Sequence, residues 1–288
     1  MPLKAKKPEA VTKRLKCLLY GPPSAGKTTA AISFPKPYLI DTERGAENSE
    51  YAERLSASGG VILQTNDFDE IAAEIKALLS EKHDYQTLII DPITTVYVDL
   101  MDAAEQRMAR KSKDGDGTAF GRHIAEANKQ WRRLVNLIYR LDMNVIVTSH
   151  AKAVYGDNMS KLGWTFDGPK GMDYLFDLVF ELTRRGSERM ATVRKTRDAA
   201  FPEGDTFAFS YDAIAERYGR DILERNAAPV VLATTEQVDA LRRFAADIDP
   251  AITDKWLERA RASDFSEMPS DVAAKCIAWC EARAAPAV

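Results

Sequence analysis

Gly21-Pro22-Pro23-Ser24-Ala25-Gly26-Lys27-Thr28 stands between an apolar run, Leu15 to Tyr20, and a helix expected to begin at Thr28 and continue through Thr29. A strand, a glycine-bearing loop and a helix in that order make a cradle for phosphate groups. The glycines let backbone N–H groups curl around the anion, Lys27 reaches the β and γ oxygens, and the Thr28 hydroxyl is placed for Mg²⁺. The segment from Gly21 to Thr29 is therefore the expected binding site of ATP and its Mg²⁺.

Outward from this loop, short apolar strands alternate with amphipathic helices. Strands are expected at Leu15 to Tyr20, Tyr38 to Asp41, Val61 to Gln64, Thr87 to Asp91 and Val145 to Ser149. That alternation predicts an α/β fold, a mainly parallel sheet covered by helices. In the helix expected over Asp67 to Glu81, Phe68, Ile71, Ile75 and Leu78 fall at spacings of 3, 4 and 3, one packing stripe. Between Phe176 and Phe209 the rhythm becomes strand, turn, strand, with Gly186 and Ser187 at a hairpin tip, so an antiparallel extension should follow. Near Ala227 to Val231 the composition shifts to helices. Thr234 with Gln237 makes a capping box, Ile252 to Ala262 can form a second helix, and Ser270 can cap a third. Three parts are expected: a basic flexible arm over 1–14, an α/β nucleotide-binding domain over 15–228 and a small helical C-terminal module over 229–288.

The 288 residues carry 40 Lys and Arg against 43 Asp and Glu, a formal charge of -3, so no global basic field draws the chain to nucleic acid. Any such contact must be local. Three cysteines, Cys17, Cys276 and Cys280, suggest neither a disulfide framework nor a zinc site. The apolar runs are strand-sized and the N-terminus has lysines without an apolar core, so a cytoplasmic protein with no membrane partner is expected.

Thr87-Leu88-Ile89-Ile90-Asp91 ends a buried strand in a carboxylate. Asp91 suits Mg²⁺ held through water; the plainer alternative is a capping residue. Tyr38-Leu39-Ile40-Asp41-Thr42-Glu43 is a second strand ending in an acid, directly after the phosphate loop's helix. Here the chain resembles the RecA-like recombinases, and in particular phage-encoded RecA-like P-loop ATPases of single-strand annealing and recombination. Leu18-Leu-Tyr-Gly-Pro-Pro-Ser-Ala-Gly-Lys27, Pro35-Lys-Pro-Tyr-Leu-Ile-Asp-Thr-Glu43 and Lys195-Thr-Arg197 carry the resemblance, which spans roughly residues 15 to 215.

The resemblance implies a role for each motif. Glu43 would be the catalytic base that polarises the attacking water, unless it is a surface acid at a strand end. Asn144 to His150 looks like the strand that ends in a γ-phosphate sensor, commonly glutamine. His150 can still donate a hydrogen bond there and would add pH sensitivity; the alternative is a histidine without a role. Lys195 and Arg197 resemble cationic fingers that reach a neighbouring subunit's ATP, or else form a solvated basic edge. ATP would then lie at subunit interfaces of a homo-oligomer, although no N-terminal polymerisation element is evident. Single-stranded DNA is the implied partner, with a single-strand DNA-binding protein as a further candidate and a bacterial host's cytoplasm as the setting.

DNA contact should fall in two loops. The first holds Lys111 and Lys113 with Arg122 beyond it; the second follows His150 and contains Lys152, Tyr155, Lys161, Trp164 and Lys170. Cations attract phosphates and aromatics stack on bases, while nearby aspartates leave open that both are ordinary surface loops. The reading is an ATPase that binds and anneals or exchanges single-stranded DNA in phage recombination or replication. Its alternative is a nucleotide-dependent loader or scaffold acting mainly on a partner protein. A third class, a small-metabolite kinase, lacks a clear arginine-bearing lid and acceptor pocket.

Overall fold

A computed structural model describes residues 13–46, 49–111, 118, 121–156 and 160–284. The chain begins with β1 (Lys16–Tyr20), α1 (Lys27–Ala31), β2 (Pro37–Asp41), α2 (Ser49–Ala57), β3 (Val61–Gln64), α3 (Phe68–Ser80) and β4 (Thr87–Asp91). Two long helices follow, α4 (Ile93–Lys111) and α5 (Arg122–Arg140), then β5 (Asn144–Ser149) and a hairpin of β6 (Ala151–Tyr155) and β7 (Lys161–Phe166). A second hairpin, β8 (Leu178–Arg185) and β9 (Glu188–Thr196), leads to β10 (Thr206–Ala208), α6 (Tyr211–Tyr218) and α7 (Arg220–Leu223). Helices α8 (Thr235–Ala245), α9 (Pro250–Ala260) and α10 (Ser270–Ala284) close the chain.

The main sheet has the order β10-β9-β8-β1-β5-β4-β2-β3. From β3 to β8 every neighbouring pair is parallel, and β9 and β10 add on antiparallel. This is the α/β fold the sequence predicts, extension and helical module included. Every residue of β1, β4 and β5 is buried, as expected for parallel strands covered on both faces. Alternate residues of one strand serve different cores. Leu18 and Tyr20 join Ile75, Leu78, Trp131 and Leu137 of α3 and α5, whereas Cys17 and Leu19 join Ala30, Phe34, Phe180 and Ile214 on the other face. A one-residue slip of β1 would exchange both sets.

Local signals set the helix boundaries. Asp67 accepts from the Glu70 N–H and so starts α3, and its apolar stripe buries Ile71, Ile75 and Leu78. Thr234 and Gln237 form a capping box at the head of α8. The last three helices share their own small core around Leu241, Met268 and Ala273. They are tied to the sheet domain by Arg133 to Glu267 at 2.8 Å, Lys76 to Ser266 at 3.1 Å and the Val230 N–H to the Leu79 carbonyl at 2.8 Å. Among the described residues, no helix is long and apolar enough to cross a membrane.

Candidate functional site

The carboxyl ends of β1, β2, β4 and β5 meet at one edge of the sheet, the position where open α/β sheets form their ligand crevices. β1 delivers Gly21 against β8, where a side-chain Cβ would lie 2.2 Å from the Leu182 carbonyl oxygen. Only glycine fits that approach. Gly26 turns the loop into α1 with φ of 85°, a left-handed conformation that glycine adopts without penalty. Lys27 folds back over the loop and donates from Nζ to the carbonyls of Gly21 at 3.0 Å and Pro22 at 3.2 Å. Burial lowers its pKa, while Asp91 and Glu43 act in the opposite direction.

Asp91, at the end of β4, is the centre of the polar cluster. Its carboxylate accepts from the Thr28 hydroxyl at 2.6 Å and from the Thr148 hydroxyl of β5. Burial raises its pKa, and the two hydroxyl hydrogen bonds oppose that rise. A buried carboxylate without a cationic hydrogen-bond partner, bonded to the hydroxyl of a phosphate loop, is a donor set that fits a hydrated Mg²⁺. Thr28, Asp91 and Lys27 are the residues that would hold Mg-ATP, in a cleft of about 510 Å³ that they line together with Glu43 and His150.

A short turn presents Glu43. Asp41 accepts from the backbone N–H groups of Glu43 at 3.3 Å, Gly45 at 3.1 Å and Ala46 at 2.8 Å, so its carboxylate shapes the turn from inside. The Glu43 carboxylate accepts from the Thr95 hydroxyl of α4 at 2.6 Å and lies 3.3 Å from Nε2 of His150. The His150 N–H donates to Thr94 Oγ1 at 3.0 Å. Lys27, Thr28, Glu43, Asp91 and His150 are thus brought together in one cleft, with Pro23 on its wall. Pro22, Ser24 and Ala25 complete the loop, and Thr29 is buried in α1.

Lys195 and Arg197 lie elsewhere. Strand β9 runs antiparallel to β8 and reaches Lys195 opposite Val179, near the amino ends of the parallel strands. Lys195 Nζ donates to the carbonyls of Asp173 at 2.6 Å and Phe176 at 2.7 Å, and Arg197 pairs with Asp177 at 3.3 Å. Neither reaches the cleft of its own chain. Of the expected DNA-contacting residues, Lys113 falls outside the described residues, Lys111 ends α4, Arg122 begins α5, and Lys170 is exposed beyond β7.

The segment expected as a second DNA loop is instead the antiparallel hairpin β6–β7. Ala151-Lys-Ala-Val-Tyr155 alternates well enough to pair with Lys161 to Phe166, and the Gly156 N–H closes on the Ser160 carbonyl at 2.9 Å. Lys152 bonds Asp167 at 3.4 Å, Tyr155 is 60% exposed, and Lys161 Nζ sits 3.5 Å over the Trp164 ring.

Several site residues carried no sequence mark. Thr95 and Thr148 are ordinary in sequence and become partners only through the fold, and Asp41 acts through a local turn. Arg189 of β9 packs against Gly26, with its Nε shielded from solvent and without a hydrogen-bond partner among the described residues. Burial lowers its pKa, and Arg184 and Arg54 push the same way.

A family model described as an AAA domain matches residues 13–201. The curated DNA repair and recombination protein RadB of Halobacterium salinarum, in two strains, is 29% identical over 209 residues, spanning 66% of this chain and 81% of the relative. A solved crystal structure of the RadB recombinase overlaps 75% of this chain and 90% of its own, at 20% identity and a TM-score of 0.41.

Proposed function

The chain belongs to the AAA domain family, and from that membership we propose that it binds Mg-ATP at Gly21 to Thr28, hydrolyses it, and uses the cycle to bind and anneal or exchange single-stranded DNA. One observation carries the ATPase part. Asp91 takes hydrogen bonds from both Thr28 and Thr148 at the floor of the cleft, and Glu43 faces it from the Asp41 turn. When bound, Mg²⁺ neutralises charge on the β and γ oxygens. Thr28 and Asp91 position it, Lys27 contacts the phosphates, and Glu43 orients water in line with the γ-phosphate. Thr95 and His150 fix the Glu43 carboxylate.

DNA as partner is supported by the name of the curated relative, a DNA repair and recombination protein, and its single-stranded form by the hairpin that leaves His150 with Lys152, Tyr155, Lys161 and Trp164. The phage setting, the cytoplasm of a bacterial host and a single-strand DNA-binding protein as partner rest on the sequence resemblance alone. In this reading residues 15–228 are the ATPase unit, 229–288 an appended helical module, and Lys195 and Arg197 complete a neighbouring subunit's site.

Mixing two inactive variants tests chemistry and assembly together. Glu43→Gln keeps the shape of the side chain but loses the base, so ATP affinity should stay within a few-fold while turnover falls roughly 10²-fold or more. Arg197→Ala should bind ATP and hydrolyse it poorly. Because one variant is sound as donor and the other as acceptor, co-assembled mixtures regain part of the activity. No recovery after verified co-assembly, or normal hydrolysis by a monomer, would remove the subunit-bridging arrangement.

A further inference from the structure

At the edge of the sheet opposite the nucleotide cleft lies a second cleft of about 580 Å³, lined by Lys13, Arg14, Lys16, Arg140, Arg197 and Arg261. Against these six basic side chains it holds two carboxylates, Asp142 and Asp177, and one of the six, Lys16, is buried with its pKa lowered to about 7. It adjoins a further cleft of about 370 Å³ that shares Lys13, Asp177 and Arg197 and adds Asp198 and Tyr218. The two together form an extended groove with a cation surplus, in a chain whose formal charge is -3.

Half of these cations are committed to the fold. Arg14 donates to Asp142 and to the carbonyls of Ile222, Leu223 and Arg225. Lys16 donates to the carbonyls of Leu141 at 3.0 Å and Met143 at 2.9 Å. Arg197 is held by Asp177 and the Tyr174 carbonyl. The other half are not. Among the described residues Lys13, Arg140 and Arg261 have no ion pair, and both terminal nitrogens of Arg140, shielded from solvent in the cleft wall, are without a hydrogen-bond acceptor. The acid nearest Arg140 in charge, Glu267, is already taken by Arg133 and the Ser263 N–H. Aromatic rings border the same groove: Tyr139 lies 5.1 Å beneath the Arg261 guanidinium, and Tyr218 donates to the Lys13 carbonyl.

We propose that this groove binds the phosphate backbone of single-stranded DNA, as a second contact away from the β6–β7 hairpin. Lys13, which lines both clefts, together with Arg140 and Arg261 in the larger one, suits a chain of phosphates better than one small anion. Rings interleaved with cations suit unpaired strands, whose bases offer stacking faces. The proposal rests on the reading of single-stranded DNA as ligand, but not on ATP, since no residue of the phosphate loop lines the groove.

Binding of a labelled oligothymidylate, followed by anisotropy from about 50 to 200 mM salt, tests it on the full chain. The double variant Lys13→Ser with Arg261→Asn removes two exposed cations, and asparagine tolerates the left-handed backbone at 261, where φ is 50°. Affinity at low salt should fall roughly tenfold, and the slope of log K against log salt should become shallower by about 1.4, the share of two phosphate contacts on a single strand. ATP turnover without DNA should not change. The same loss should appear in a Lys27→Ala protein without nucleotide, so a failed ATP-dependence of DNA binding breaks the ATPase reading and leaves this proposal standing. It is overturned if the double variant keeps wild-type affinity and slope while Lys152→Ser with Trp164→Ser abolishes binding. It is equally overturned if tripolyphosphate, added to the Lys27→Ala protein, displaces the oligonucleotide at stoichiometric amounts, which would mark a small-anion site.

Discussion

The two ends of the same parallel strands handle polar side chains in opposite ways. At the amino ends, polar groups are mostly closed by main-chain carbonyls: Lys16 by Leu141 and Met143, Asn144 by Leu223 at 2.7 Å, Thr87 by Pro35 at 2.9 Å, Gln86 by Glu224 at 2.5 Å. At the carboxyl ends side chains also close one another: Thr28 and Thr148 on Asp91, Thr95 and His150 on Glu43. A carbonyl belongs to the backbone and cannot turn away without unfolding. A hydroxyl or an imidazole can rotate to a ligand. The first kind of closure is structural, and the second leaves a polar cluster that a phosphate or a metal ion can enter.

If that division holds, activity and stability should separate cleanly between the ends. Lys27→Ala should give the largest effect, removing measurable ATP hydrolysis while thermal stability stays close to wild type, because its bonds to Gly21 and Pro22 are partly exposed. A protein that turns over normally after this change would break the comparison at its functional end.

Asn144→Ala should do the reverse. The side chain is fully buried and bridges the Leu223 carbonyl and the Thr87 hydroxyl, so its removal costs about 1–3 kcal/mol. Chemical denaturation should show the loss, with turnover per folded molecule unchanged. A fall in turnover without a fall in stability would mean that the amino ends also serve the chemistry.

The most gradual expected effect is a pH slope. Burial lowers the Lys16 pKa from 10.5 to about 7. Between these values the unfolded chain binds a proton that the folded chain does not. Stability therefore climbs as pH rises from about 7 toward 10.5, by at most about 1.4 kcal/mol per pH unit. In Lys16→Met that part of the climb disappears. Melting curves of both proteins from neutral pH upward check this, and parallel slopes would show that Lys16 stays charged in the fold.

What was legible in the sequence was what is local. The strand Thr87–Asp91 lies where periodicity placed it, and Asp67 caps α3 as its side chain and spacing suggest. The phosphate loop was readable because eight consecutive residues carry it. Thr148 and Thr95 were not, because they meet Asp91 and Glu43 across 57 and 52 residues, and a threonine at a strand end or in a helix is unremarkable. In sequence the hairpin looks like a loop, since Gly156, Gly163 and scattered charges interrupt its alternation. Helix α9 begins at Pro250, before the expected Ile252, because Asp249 followed by proline is a plain helix start.

The base of the β6–β7 hairpin is clamped. His150 alone separates β5 from β6, and at the exit the Asp167 N–H donates to the His150 carbonyl at 2.8 Å, while the Ser149 and Thr94 hydroxyls each reach the Asp167 carbonyl at 2.9 Å. Partway up, the Tyr20 hydroxyl donates to the Trp164 carbonyl at 3.4 Å, and the Tyr20 and Phe166 rings meet edge to face. Mechanically the hairpin is anchored to the site at its root: His150, the residue beside Glu43, is also the one from which the strand to Tyr155 departs, and the register of that strand shifts between Val154 and Tyr155.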